Sequence, residues 1–153
     1  MLVTDLAADI RQKGLDKMIK VGIIGATGYA GGELVRLLTQ HKDAQIVWYG
    51  SRSYIDQKYS SVYGNMFQIV DDKCMDDNME QLAGQVDVIF TATPQGLCAS
   101  LVNDSILNKI KIVDLSADFR IKDVSVYEKW YGIEHKSPQV SLTVLSPSLK
   151  LIN

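Results

Sequence analysis

Residues 24–38 read IGATGYAGGELVRLL and carry four glycines at the start of a helical pattern. Three of them recur at intervals of three residues, at Gly25, Gly28 and Gly31. The run before them, residues 19–24, is short, apolar and rich in β-branched side chains, which is typical of a strand buried on both faces of a parallel sheet. Apolar residues at helical spacing follow over residues 33–40. The stretch therefore predicts a strand, a tight turn and a helix in succession.

The spacing of these glycines favours a turn against which phosphate groups can lie. The first glycine permits a tight exit from the strand, the second leaves room for a pyrophosphate, and the third lets the helix pack closely on the sheet. The helix N-terminus then offers free N–H groups to an anion. A Walker loop is excluded because no Gly-Lys-Ser or Gly-Lys-Thr follows. A plain strand–helix turn with glycines for packing is the alternative.

The end of the second predicted strand, residues 45–49, indicates which dinucleotide such a turn would bind. Sites for NAD usually have Asp or Glu about 20 residues beyond the glycines, where the carboxylate binds the ribose hydroxyls. Here that place holds Gly50, Ser51 and Arg52. A hydroxyl and a guanidinium suit a 2′-phosphate, which an acidic residue would repel. The pattern predicts NADP, and a solvated surface arginine is the alternative.

Strand and helix patterns alternate along the rest of the chain. We predict strands over 86–93 and 110–117, helices over 97–108 and 122–132, a short strand and a short helix within 66–85, and a loop over 53–65. Alternation at these intervals indicates βαβ units. The expected fold is α/β: a Rossmann-like, doubly wound, mostly parallel sheet with helices on both faces.

Composition excludes several classes of partner. The chain has 153 residues and a formal net charge of −2, which gives no electrostatic basis for binding nucleic acid or an anionic membrane. Two cysteines suggest no disulfide framework and fit the cytoplasm. Residues 1–17 resemble neither a secretory signal nor a transit peptide. They form either a short amphipathic helix or an over-extended start before Met18.

Other reactive side chains give weaker signals. Tyr54 and Lys58 have the spacing of the short-chain dehydrogenase acid–base pair, but they fall in a loop after the second strand, so we treat the match as coincidence. Cys98 lies in the first turn of a predicted helix, where a thiolate would be favoured, yet a buried and inert cysteine is the preferred interpretation. His41 and His135 belong to no cluster with metal-ligand spacing, and no metal is expected.

Several segments together resemble one family. VGIIGATGYAGGELVRLL, GSR, TATPQG, VDLSADFR and YEKWYGIEHKSP are similar to the N-terminal half of the N-acetyl-γ-glutamyl-phosphate reductases, arginine-biosynthesis enzymes of the semialdehyde dehydrogenase superfamily. The resemblance covers about residues 18–139. LSADFR and WYGIEHK are its most specific parts, because the related aspartate-semialdehyde dehydrogenases do not share them.

The resemblance implies NADPH-dependent reduction of an acyl phosphate to an aldehyde. In that family a cysteine thiolate attacks the acyl phosphate, hydride from NADPH reduces the resulting thioester, and a histidine acts as acid and base. The positions that match the family's cofactor site are Gly25, Thr27, Gly28, Tyr29, Gly31, Ser51, Arg52, Thr93, Pro94, Gln95 and Gly96. Arg120 is the candidate for binding a substrate anion. A salt bridge between Asp118 and Arg120 that fixes the strand end is the alternative.

The departures from the family concern the other half of the enzyme. The Asn-Pro-Gly-Cys motif that carries the nucleophile does not occur, and the catalytic α+β domain, its histidine and most of the oligomer interface are expected to be missing. Beyond residue 139 the chain reads VSLTVLSPSLKLIN, which suggests out-of-frame translation of a family-like continuation. The predicted organisation is an extension (1–17), a dinucleotide-binding domain (18–139) and an aberrant tail (140–153). Two functions remain open: the reductase itself, or a non-catalytic NADP-binding module.

Overall fold

One twisted sheet organises the chain. The computed structural model describes residues 18–140, 143–146 and 149–152. The sheet has the strand order β3-β2-β1-β4-β5-β7-β6. The strands are β1 (Ile19–Ile24), β2 (Ala44–Gly50), β3 (Cys74–Met75), β4 (Val88–Thr91), β5 (Lys111–Asp114), β6 (Thr143–Ser146) and β7 (Leu149–Ile152). The first five are parallel to one another, as the alternation of strand and helix patterns predicts.

Helices connect the parallel strands. They are α1 (Tyr29–Thr39), α2 (Tyr59–Val62), α3 (Met79–Ala83), α4 (Leu97–Leu101), α5 (Asp104–Leu107) and α6 (Val124–Tyr131), with a 3-10 turn at Gly64–Met66. None of the helices in the described part of the chain is long and apolar enough to cross a bilayer.

The core has two apolar layers, and strand β1 contributes to both. Val35 and Leu38 of α1 pack in one layer with Tyr59 of α2. Leu82 of α3 and Ile106 of α5 pack in the other. Alternate side chains of the buried strands enter the two layers, which explains why these strands are apolar at nearly every position. The predicted doubly wound, Rossmann-like fold is confirmed.

Two local predictions are wrong. Residues 53–65 are not simply a loop, because α2 and the start of the 3-10 turn lie within them. Residues 97–108 are not one helix, because Val102 and Asn103 are extended and a second helix begins at Asp104. The Asn103 side chain accepts a hydrogen bond from the Ile106 amide at 3.0 Å and so caps α5.

Two strands beyond residue 139, β6 and β7, extend the sheet. Strand β7 pairs antiparallel with β5, and β6 pairs antiparallel with β7. The sequence there has no clear period, so this pairing was not predicted. The domain boundary at 139/140 and the out-of-frame origin of the tail stay predictions. The helix considered for residues 1–17 lies outside the described residues.

Candidate cofactor-binding cleft

A cleft of about 190 Å³ lies at the carboxyl ends of β1, β2 and β4. The strand order reverses at this point, because β2 and β3 lie on one side of β1 whereas β4 and β5 lie on the other. Open α/β sheets bind ligands at this kind of switch point. The lining residues are Ile24, Gly25, Thr27, Gly28, Gly50, Ser51, Arg52, Ser53, Asp77, Ala92, Thr93, Pro94 and Leu97. Seven of the predicted cofactor residues are therefore brought together here: Gly25, Thr27, Gly28, Ser51, Arg52, Thr93 and Pro94.

Packing within the chain requires glycine at two of the three positions of the turn. Gly25 has φ of +81°, and a side chain on it would collide with the carbonyl oxygen of Ala92. A Cβ on Gly31 would collide with the Gly25 carbonyl oxygen, so the close approach of α1 to the turn requires glycine there. At Gly28 a Cβ would lie 3.4 Å from the Gly25 oxygen, which is an ordinary contact. Packing therefore explains Gly25 and Gly31, whereas the chain leaves room for a Cβ at Gly28, which lines the cleft.

The N-terminus of α1 is open to an anion. Gly28 is the N-cap residue, so no capping side chain occupies the amides of the first turn, and that turn holds no acidic residue. The turn is held against the end of β2, because the amides of Gly25 and Ala26 donate to the Gly50 carbonyl at 3.0 and 2.8 Å. A helix start fixed in this way directs N–H groups and a positive dipole end outward.

The second wall of the cleft comes from the end of β2. The Ser51 hydroxyl lies 2.7 Å from the Thr27 hydroxyl, so a side-chain hydrogen bond joins the turn after β1 to the segment after β2. The buried Ser51 is also tied to β3, since its amide donates to the Met75 carbonyl at 2.7 Å. The exposed Arg52 makes a salt bridge through Nε to Asp77 at 2.5 Å. The Ser51 hydroxyl and the Arg52 guanidinium thus lie together at the end of β2.

The third wall, after β4, holds an unsatisfied hydroxyl. Thr93 Oγ1 is buried, and no hydrogen-bond partner exists for it in the described part of the chain. Buried polar groups are nearly always paired, so an unpaired one at a cleft is a position where a ligand's polar atom can bind. Together with the open space at Gly28, this atom fits a bound dinucleotide.

The remaining predicted residues lie outside the lining. Tyr29 is fully exposed, Gln95 is exposed and Gly31 is buried beneath the turn. Gly96 has φ of +86°, and its amide donates to Asp118 at 2.6 Å.

The alternative of a salt bridge between Asp118 and Arg120 is wrong. Asp118 accepts instead from the amides of Gly96 and Ala99 and from the Tyr127 hydroxyl, at 2.6, 2.9 and 2.9 Å. The exposed Arg120 reaches the Leu115 carbonyl through Nη2 at 3.4 Å. Asp118 therefore anchors the start of α4, and Arg120 is left at the surface.

Two tyrosines that the sequence did not single out hold the glycine turn. The Tyr59 hydroxyl donates to the Ala26 carbonyl at 3.0 Å. The Tyr63 hydroxyl lies 3.2 Å from the Thr27 carbonyl and 3.1 Å from the Gly28 carbonyl. Their four-residue spacing was the available signal, but it falls within a segment predicted as a loop.

The cysteines and histidines have structural surroundings. Cys98 is fully buried, and its Sγ lies 3.3 Å from the Thr91 hydroxyl oxygen. Burial is the main cause, and the nearby Asp114 charge a smaller one, of a thiol pKa well above the ordinary value. Burial also raises the pKa of Cys74. The ring of the buried His135 lies 2.6 Å from the Asp118 carbonyl oxygen through Nε2. Within the described ranges no cluster of three metal-ligating side chains occurs.

Comparisons with known proteins agree with this architecture. The family described as semialdehyde dehydrogenase, NAD binding domain, matches residues 20–144. Two relatives named N-acetyl-gamma-glutamyl-phosphate reductase, from Lachnospira eligens and Lachnoclostridium phytofermentans, are 81% and 71% identical over 80% and 79% of this chain. The chain spans 35% of the length of each.

A solved structure shows the same fold. The crystal structure of aspartate semialdehyde dehydrogenase with NADP from Candida albicans superposes with a TM-score of 0.59 at 21% identity, over 71% of this chain and 32% of that one. At this identity the likeness concerns the fold alone. The match to the family over residues 20–144, however, covers most of the chain. The chain therefore belongs to the semialdehyde dehydrogenase family, through its NAD-binding domain.

Proposed function

We propose that the chain binds NADP(H) in the cleft at the ends of β1, β2 and β4. The observation that carries this proposal is the glycine turn, where α1 begins with open amides and space is left at Gly28. The pyrophosphate would lie on those amides. Ser51 and Arg52 would hold the 2′-phosphate, because they present a hydroxyl and a guanidinium at the end of β2.

The turn after β4 would contact the nicotinamide side of the cofactor. The unpaired Thr93 hydroxyl is available to a ribose oxygen there. Pro94, Gln95 and Gly96 would shape that turn, while Tyr29 and Gly31 would contribute through the start of α1. NADPH, when bound, would supply the hydride for a reduction.

The free, buried state of both cysteines is in keeping with a cytoplasmic protein.

A substitution at Gly28 tests the binding proposal. Alanine there is tolerated by the fold, since its Cβ would make an ordinary 3.4 Å contact, but it would fill the space proposed for the pyrophosphate. We expect Gly28→Ala to weaken NADPH binding by about tenfold or more, equivalent to about 1.4 kcal/mol, in a fluorescence titration. Gly64→Ala is the matched control, because a Cβ at Gly64 meets no atom within 4 Å. Equal affinity in the wild-type and Gly28→Ala chains would contradict the proposal.

The reaction served by this cleft is proposed to be the reduction of N-acetyl-glutamyl 5-phosphate to the semialdehyde. The relatives that match most of this chain at 81% and 71% identity carry the name of that reductase. Arg120 is exposed beyond β5 and would bind a substrate anion. In this proposal the chain supplies the coenzyme-binding half of the activity, and its small-molecule partner is an acyl phosphate.

A non-catalytic NADP-binding module is the second candidate, and the cysteines favour it for this chain alone. The thiolate is the form of cysteine that attacks an acyl phosphate. Both cysteines of the chain are buried with raised thiol pKa values, so neither serves as that nucleophile. Purified chain mixed with NADPH and the acyl phosphate should therefore bind cofactor without consuming it. Steady loss of NADPH absorbance would support the reductase and overturn the module.

A further inference from the structure

The cleft residues that follow β2 include no acidic side chain, but Asp77 places a carboxylate at the same end of the cleft. Asp77 comes from the loop between β3 and α3, and its carboxylate pairs with Arg52 Nε at 2.5 Å. Its side chain is 20% exposed, whereas that of Arg52 is 60% exposed. The carboxylate is therefore the more enclosed member of the pair, and the arginine reaches across to it.

The backbone that leads to Asp77 is held by bonds that do not involve Arg52. The indole Nε1 of the buried Trp48 donates to the carbonyl of Asp76 at 2.9 Å. The Ser51 amide donates to the Met75 carbonyl at 2.7 Å, which ties the same loop to the end of β2. Both bonds hold the backbone just before Asp77 beside the end of β2 and involve no atom of Arg52.

We propose that Asp77 helps to determine cofactor specificity by offsetting the positive charge of Arg52. The preference of the cleft for NADPH over NADH is then weaker than it would be with Arg52 and no carboxylate beside it. The inference rests on the proposed NADP(H) site. A 2′-phosphate that binds Arg52 must approach the Asp77 carboxylate as well, and like charges repel at this range. The ribose hydroxyl of NADH instead donates a hydrogen bond that a carboxylate accepts well.

Neutral variants of Asp77 separate these effects. Asparagine keeps an oxygen that can accept from Arg52 Nε but removes the charge. We expect Asp77→Asn to bind NADPH about tenfold more tightly, with NADH binding unchanged or weaker, in parallel fluorescence titrations. The gain should shrink at high salt because exposed charges are screened. Asp77→Ser is a second neutral variant with the same expected gain.

A matched control removes a negative charge outside the cleft. Asp71 is exposed and pairs with Lys58 at 3.2 Å, outside the lining of the cleft. Asp71→Asn should leave the ratio of NADPH to NADH affinities at the wild-type value, with thermal melts confirming that each variant is folded. Unchanged or weaker NADPH binding in folded Asp77→Asn and Asp77→Ser would overturn the inference while leaving the binding proposal intact. Failure of the wild-type chain to bind either nucleotide would overturn both.

Discussion

Asp114 is a buried carboxylate at the end of β5. It accepts hydrogen bonds from the Thr91 hydroxyl at 2.8 Å and from the Ser116 amide and hydroxyl at 3.0 and 2.7 Å. Burial nevertheless raises its pKa above the ordinary value, because these bonds offset the loss of hydration only in part. Folding therefore makes this carboxyl easier to protonate than it is in the unfolded chain.

The raised pKa predicts a pH dependence of stability. A folded-state pKa above the unfolded value contributes stability that is complete below the ordinary aspartate pKa of about 4 and is lost as pH rises through the raised value. We expect wild type to lose stability relative to Asp114→Asn between about pH 4 and pH 7. Urea denaturation of both chains at the two pH values measures this difference. A gap in unfolding free energy that stays constant with pH would contradict it.

How far the site could be predicted depends on whether its residues follow strands that are long enough to leave a pattern in the sequence. Ser51 directly follows β2 and Thr93 lies two residues beyond the end of β4, so their place at the carboxyl edge of the sheet could be predicted from the strand pattern. Asp77 follows a strand of two residues, too short to give a pattern, and reaches Arg52 from 25 positions away. Only the folded sheet brings that carboxylate to the cleft.

Among the elements, the short helix α2 supports the glycine turn from outside. The rings of Tyr59 and Tyr63 stack with centroids 5.4 Å apart, and a Cβ on Gly32 would lie 2.8 Å from the Tyr63 hydroxyl. Gly32 thus makes room for a tyrosine, a role that its position beyond the glycine motif did not reveal. Helix α2 was missed because four residues are too few to establish a helical period.

The two tyrosines of α2 predict separable effects. Tyr59→Phe leaves the Ala26 carbonyl without its buried partner and should lower the free energy of unfolding by about 1 kcal/mol or more. Tyr63→Phe releases the carbonyls of Thr27 and Gly28, so we expect several-fold weaker NADPH binding with a smaller loss of stability. Urea denaturation and NADPH titration check the two outcomes, with the more exposed Tyr54→Phe as control. Unaltered NADPH affinity in Tyr63→Phe would refute the supporting role of this helix.

For the molecule as a whole, the parallel sheet was predictable and its antiparallel extension was not. Strands β1 and β4 are buried along nearly their whole length, and burial on two faces leaves a continuous apolar run in the sequence. Strands β6 and β7 join the sheet by backbone pairing, β7 with β5 and β6 with β7, and such pairing needs no particular side-chain period. A pairing of that kind leaves no pattern from which to predict it.

The hairpin of β6 and β7 covers an edge of β5 that would otherwise be free to pair with another chain. Leu151 is opposite Val113 in this pairing, and proline at position 151 would remove the backbone N–H there. We expect Leu151→Pro to increase self-association in sedimentation velocity and to speed amide exchange in β5. NADPH affinity should hold, because the cleft lies at the ends of β1, β2 and β4, none of which pairs with β7. Leu151→Val keeps the N–H and serves as control. If the proline variant sedimented as wild type does and its β5 amides were as protected as before, these two strands would not be what covers this edge in solution.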